Sequence, residues 1–296
     1  MAAVAFLLGG AALLWAGAAL IRLDSAPAGA ATVLPGLSIE GLAVVAVASA
    51  VADTSTAAGV AFGVALVFLA LGFGTALLVP RARSFRTSSG SVLLPAAALI
   101  AAAFAVADQE ISRLEGLGLL VVYAAYAVLA DTDATAGGEG SAPTNEPRPR
   151  PDTAFRPNRI IAGAALGLAG AWAVVAGGDG VLDRSTLLAG FVGAAMMAPA
   201  AIARLVVRGA LAARSTPTDG ADPLEAMACF CTAAPGAAAV VRPLLVDAAA
   251  SYAFLAVTVI YALVAAVMLA TGRTWRPVGV AVLGLYGLWL ALASSA

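Results

Sequence analysis

Two stretches of this 296-residue sequence are versions of one another. Ile111–Ala130 reads ISRLEGLGLLVVYAAYAVLA, and Thr274–Ala293 reads TWRPVGVAVLGLYGLWLALA. At an offset of 163 residues Arg113 falls on Arg276, Gly116 on Gly279, Leu120 on Leu283, Tyr123 on Tyr286, Tyr126 on Trp289 and Leu129 on Leu292; Pro80 and Pro243 stand the same distance apart. Solenoid units are only about 20–50 residues long, so the repeated unit here is half of the chain. One unit built twice is the plan of many secondary transporters.

What surrounds the repeat must lie in a membrane. Apolar residues make up 62% of the chain and charged residues 11%, against roughly 25% charged in a soluble domain. So little charge cannot cover a water-facing surface, so most of the chain faces lipid or its own interior. The net charge of −1 gives no case for a nucleic-acid partner. There is no histidine, which removes the usual proton shuttle and a common metal ligand. Cys229 and Cys231, two residues apart, point to different sides of a helix, which disfavours a disulfide or a metal pair and favours packing. With no histidine, no paired carboxylates in the apolar runs and no activating partner for either thiol, an enzyme is not expected, nor is a cofactor.

A span of about 20 apolar residues crosses a bilayer, and ten such spans are expected. The first half gives Met1–Ile21, Ala30–Ala52, Gly59–Val79, Val92–Val106 and Ile111–Ala130. The second gives Ile160–Ala176, Ser185–Val207, Pro223–Val241, Ala248–Leu269 and Pro277–Ser294. SAPAGAA at 25–31 could serve as a cleavage site, but no charge precedes the first apolar run and Arg22 follows it, so a retained helix is expected. Asp108–Glu110 reads as a tight polar turn, and Ser112-Arg113-Leu114-Glu115 as a capping box opening the fifth span. Pro223–Val241 is crowded by Glu225, Pro235 and Arg242, so a re-entrant or interfacial segment is its alternative. Residues 131–158, rich in Asp, Thr, Gly, Pro and Arg, read as a flexible linker that cannot fold alone. The expected division is residues 1–130 as a first five-helix repeat, 131–158 as linker and 159–296 as a second repeat.

The arginines give the topology. With an external N-terminus, only Arg113, Arg184 and Arg242 lie outside; the other thirteen of the sixteen lie on internal connections or the linker. This obeys the positive-inside rule and puts both termini outside and the linker in the cytoplasm of a multi-pass inner or plasma-membrane protein. Five spans per half force the halves to insert in opposite orientations, giving an all-α membrane protein of two inverted five-helix repeats.

A transporter of this build binds its ion near the bilayer midplane, at breaks in the second and seventh spans. Pro35 interrupts the second span and frees backbone carbonyls near it, Gly36 among them. Ser38 adds a hydroxyl. Glu40 adds a charge that costs on the order of 2.5–3.5 kcal/mol against lipid and so belongs in an interior cavity. The other reading is that Glu40 lies near a helix end and reaches water. In the second half Pro199 supplies the break and Thr232 the one noteworthy hydroxyl, its alternative being a bond to its own helix four residues back.

Gly36-Leu37-Ser38-Ile39-Glu40 resembles the Gly-Thr-Ser-Leu-Pro-Glu signature of the first repeat in the sodium/calcium exchanger (cation antiporter) superfamily. Ile111–Ala130 is similar to the Ile-Ser-Arg-x-Glu-Gly helix, with two tyrosines, that closes each half in prokaryotic members. The likeness covers most of the first half and less of the second. It implies that Glu40 takes the place of the ion-binding carboxylate and that Ser38 approximates its hydroxyl neighbour, one residue closer. The family's Gly-Asn-x-x-Gly-Ser-Asn run reads Gly59-Val60-Ala61-Phe62-Gly63-Val64-Ala65 here, with the glycines kept and the ligating side chains gone. The second signature reads Ala195-Met196-Met197-Ala198-Pro199-Ala200, with Ala200 where a glutamate belongs.

The resemblance thus implies a cation antiporter working by alternating access, exchanging Na⁺ for Ca²⁺, H⁺ or another cation, with a partly degenerate site. Calcium prefers six to eight oxygens with several carboxylates, more than one glutamate, one serine and some carbonyls supply. The competing reading is a non-transporting membrane protein that keeps the fold in a structural or regulatory role. The partners expected are monovalent or divalent cations and the lipid bilayer; a homo-oligomer is compatible with the sequence.

Overall fold

The computed structural model of the chain describes residues 2–24, 39–74, 78, 89–136, 157–183, 189–200, 223–271 and 276–294. Nearly all of them are helical. In chain order α1 is Ala2–Asp24, α2 Ile39–Val51, α3 Thr54–Val67, α4 Ser89–Ala105 and α5 Arg113–Ala136. The second half gives α6 Pro157–Leu182, α7 Ala189–Val192, α8 Pro223–Val241, α9 Ala248–Thr271 and α10 Arg276–Ser294. Two helices continue as π-helical stretches, α3 through Phe68–Gly74 and α7 through Gly193–Met197. Each of these helices overlaps an expected span, though the bounds differ. By length and apolarity Thr54–Leu71, Ile161–Leu182 and Leu224–Val241 suffice to cross a bilayer; Ala2–Gly17, Glu40–Val51, Leu93–Ala105, Ala189–Ala200 and Phe254–Val267 are shorter apolar stretches.

Local chemistry explains where the helices start. Asp53 caps α3, its carboxylate accepting from the Thr56 amide and hydroxyl, both at 2.8 Å, so this helix begins five residues ahead of the expected Gly59. The capping box forms: Ser112 N donates to Glu115 Oε2 at 2.8 Å, and Glu115 N to Ser112 Oγ at 3.3 Å. The turn before it has Gln109 at φ 68°.

Several boundaries differ from expectation. α5 runs on to Ala136 because Gly137-Gly138 is the first pair after Tyr126 that disfavours a helix. α6 begins at Pro157, a residue preset for the first helical position. The expected linker 131–158 therefore gives both ends to helices, and 137–156 lies outside the described residues. α6 also continues past Ala176, because Gly177 and Gly178 are packing glycines and not terminators: a Cβ on Gly177 would lie 2.9 Å from Leu7 N.

Pro223–Val241 is helical over the whole of the expected span, despite Glu225, Pro235 and Arg242, and is enclosed by α2, α3, α4 and α5. Of its apolar window 72% is buried, and of Thr54–Leu71 83%, against 39% for Ile161–Leu182. α3 and α8 are thus the inner helices, while α6 lies outside and pairs with α1. That pair is antiparallel: Gly10 meets Gly170, and Gly17 meets Gly163 and Gly167. A Cβ on Gly10 would lie 2.7 Å from the Gly170 carbonyl. Small residues let helix backbones approach in lipid, where dispersion and not hydrophobicity holds helices together. α3 and α7 run parallel and touch the same way, Gly59 on Gly190 and Gly63 on Ala194.

Three connections and the start of α7 gather at one end of the bundle. Glu110–Ile111 (β1) pairs antiparallel with Leu244–Leu245 (β2), Glu110 opposite Leu245 and Ile111 opposite Leu244. Val246 N donates to the Gln109 carbonyl at 2.8 Å, and Ser251 Oγ to the Val106 carbonyl at 2.7 Å. Arg242 Nη1 donates to the Ala52 carbonyl at the end of α2 (3.4 Å). Asp247 Oδ2 accepts from the Gly190 amide in α7 at 2.9 Å. The ends of α2, α4 and α8 and the starts of α3, α5, α7 and α9 therefore share one face.

Candidate ion-binding site between α2, α3 and α8

Glu40 is the second residue of α2, where the helix dipole favours a carboxylate. It is 3% exposed, and among the described residues it is the one charged side chain that is buried. Its place is fixed by the next residue. A Cβ on Gly41 would lie 2.5 Å from Phe230 Cζ, so the fully buried Phe230 ring of α8 rests directly on the α2 backbone. That ring also stacks on Phe68, with centroids 5.9 Å apart, where α3 changes from α to π winding. Three helices thus meet at Phe230, one residue from the buried acid.

Counting turns gives its depth. Glu40 stands twelve residues before Ala52, about 18 Å at 1.5 Å per residue, and Phe230 stands twelve before Arg242, which bonds Ala52. α2 and α8 therefore run in the same direction in register, with Glu40 about 18 Å along the helix from Ala52.

Thr232 is fully buried, but its hydroxyl donates to the Ala228 carbonyl of its own helix at 2.6 Å. Two residues on from Phe230, it lies some 200° around α8 and so on the side away from Gly41. The structure does not bring Thr232 to Glu40. Cys229 and Cys231 are buried free thiols, Cys229 hydrogen-bonded with Tyr123 and Cys231 with the Ala228 carbonyl at 3.4 Å. Pro35, Gly36 and Ser38 lie outside the described residues. Pro199 occupies a helical backbone that continues through 198–200, with Ala198 N–H bonded to the Gly193 carbonyl. The irregularity expected at this proline takes the form of the π stretch Gly193–Met197 before it. A proline offers no amide to a carbonyl behind it, and the wider winding changes which carbonyls are left over.

One feature escaped the sequence reading. Pro235 lies inside α8, so the helix offers no amide to the Cys231 carbonyl four residues back. The proline that argued against a helix here frees a backbone oxygen one residue from Phe230. Among the described residues no group of three or more His, Cys, Asp or Glu could hold a metal ion. The arrangement can bind or release a proton at Glu40, or hold a singly charged cation between that carboxylate and neutral oxygens.

No protein-family model matches the sequence, and no curated protein resembles it closely enough to match. Solved structures do. The sodium-calcium exchanger NCX_Mj, soaked with 10 mM Na⁺ and no Ca²⁺, superimposes with a TM-score of 0.59 at 19% identity, over 98% of this chain and 98% of its own. The H⁺/Ca²⁺ exchanger CAX superimposes with a TM-score of 0.60 at 13% identity, over 99% of this chain and 85% of its own. With the buried acid, the enclosed α3 and α8 and the apolar helices, these likenesses over nearly the whole chain establish an all-α membrane fold, that of the sodium–calcium and proton–calcium exchangers.

Proposed function

We propose that the chain is a cation antiporter that works by alternating access and exchanges Na⁺ or another monovalent cation for H⁺ at Glu40. The observation that carries this reading is the burial of Glu40 next to Gly41, on which the Phe230 ring of α8 rests, in a chain with the exchanger fold; its place about 18 Å from the end of α2 suits a midplane site. Charge selects the ion class. One carboxylate neutralises one positive charge; a divalent ion would leave a net charge in a low-dielectric interior, at several kcal/mol. Glu225, the one carboxylate of α8, lies five residues from Phe230, about 7.5 Å along the axis and 140° around it, which argues against its completing a divalent site.

Two inverted five-helix repeats, residues 1–130 and 159–296, joined by the linker, fit the same reading. A mirrored contact supports them. Gly236 on α8 meets the Gly116 carbonyl and Leu120 of α5, and Gly74 after α3 meets the Gly279 carbonyl and Leu283 of α10. Gly116 and Leu120 are the residues that the 163-residue offset carries onto Gly279 and Leu283. The face shared by these three connections carries Arg113 and Arg242 and is, by the positive-inside rule, the outer one; both termini are then outside and the linker is cytoplasmic.

The test is flux in proteoliposomes. Glu40→Gln keeps the shape and removes the charge, so Na⁺-driven proton movement falls to the level of empty vesicles while the protein stays monodisperse. Wild-type flux in that variant would remove Glu40 from the mechanism. The second reading, a non-transporting protein that keeps the fold, is favoured by the Thr232 hydroxyl being spent on its own helix. It predicts no heat on titrating the purified wild type with Na⁺ or Ca²⁺.

A further inference from the structure

We infer that the exchange is one-for-one and electrically neutral, so that the membrane potential neither drives nor opposes it. This rests on the reading of Glu40 as the exchange site and adds how the two ions are coupled there. The reason is a count of charge. The helices that meet around Phe230 are α2, α3 with its π stretch, and α8. Together they carry no lysine or arginine and two carboxylates, Glu40 and Glu225. α7 and its π stretch, packed on α3, carry no charge of either sign. Glu225 stands in the first turn of α8 and is only partly buried, whereas Glu40 is 3% exposed. Among the described residues no other charged side chain is buried. These helices thus bring one buried negative charge to the site and no positive one. A hydrogen bond to Glu40 from a neutral group leaves that count unchanged.

With a proton bound, the site is neutral. With one Na⁺ bound, it is neutral again. Empty, it is an uncompensated charge inside a hydrocarbon layer, the state that the membrane opposes most. A second Na⁺ would leave the opposite charge and meet the same opposition. Only the two neutral forms cross freely, so each turnover swaps one Na⁺ for one H⁺ and no net charge moves. The balance point is then set by the Na⁺ and pH gradients alone. An exchanger that moved one net charge would have that point displaced by the potential, roughly 50-fold at 100 mV.

The experiment holds proteoliposomes of the full chain at the expected balance point, with Na⁺ and H⁺ concentrated inside by the same factor and a pH indicator trapped within. A potassium gradient with valinomycin sets the potential at zero or at about 100 mV of either sign. Proton leak is measured on empty vesicles and subtracted. Internal pH is expected to hold at all three potentials and to move when the Na⁺ gradient alone is changed. A drift whose sign follows the potential overturns the inference and leaves exchange at Glu40 standing. A drift at zero potential does the same, because it means unequal numbers of the two ions. No response to the Na⁺ gradient at any potential overturns the exchange reading itself, and this inference with it. Glu225→Gln tests the count. Its balance point is expected to match the wild type, and a balance point that becomes dependent on potential in this variant would put a second carboxylate into the moving site and overturn the count.

Discussion

Changing Gly41 to alanine adds a methyl carbon 2.5 Å from Phe230 Cζ and 2.8 Å from Cε1, where unstrained carbons stay about 3.5–4.0 Å apart. Something must move by about 1 Å. Phe230 cannot move freely, because it is fully buried and stacked on Phe68. Overpacking of this kind costs about 1–3 kcal/mol, which lowers the folding equilibrium roughly 5- to 150-fold. The displacement falls one residue from Glu40, so flux drops along with stability. Phe230→Leu, which makes room, is destabilising in the wild type through the cavity it leaves, yet it should partly rescue the alanine variant. Thermal unfolding in detergent of the wild type, both single variants and the double variant measures the coupling. An alanine variant as stable as wild type, or single effects that simply add, would refute the packing drawn between α2 and α8, and with it the placement of Glu40.

Thr232→Val removes a hydroxyl committed to the Ala228 carbonyl; flux and apparent cation affinity should stay within about twofold of wild type, and a large loss would place Thr232 at the ion after all. Ser112→Ala breaks the capping box and should cost about 0.5–2 kcal/mol of stability, read as a lower melting midpoint with the ion dependence of flux unchanged.

Much of the helix pattern was legible because its causes are local. Ser112 and Glu115 announce a helix start three residues apart, and Pro223 and Val241 bound α8 where composition said they would. What stayed hidden depends on partners far along the chain. Gly177 and Gly178 look like a terminator until Ala3, Leu7 and Met197 are seen against them. Pro235 looks like damage to a span until α8 proves to be enclosed, where a spare carbonyl is an asset. Glu40 stood out because a charge in an apolar run demands an explanation, but its neighbour Phe230 carries no chemical signal and is found only by packing. Thr232 stayed open because a hydroxyl is ambiguous: the same group can face an ion or fold back on its own helix, and geometry, with its bond to Ala228, separates the two.

The pairing of Glu110–Ile111 with Leu244–Leu245 has a consequence for how the protein is made. One strand leaves the ribosome more than a hundred residues ahead of the other. Until the later strand is made, water must satisfy the waiting backbone groups of the earlier one. The last stitches on this face thus close only near the end of translation, and the nascent first half stays an unfastened bundle until its counterpart arrives.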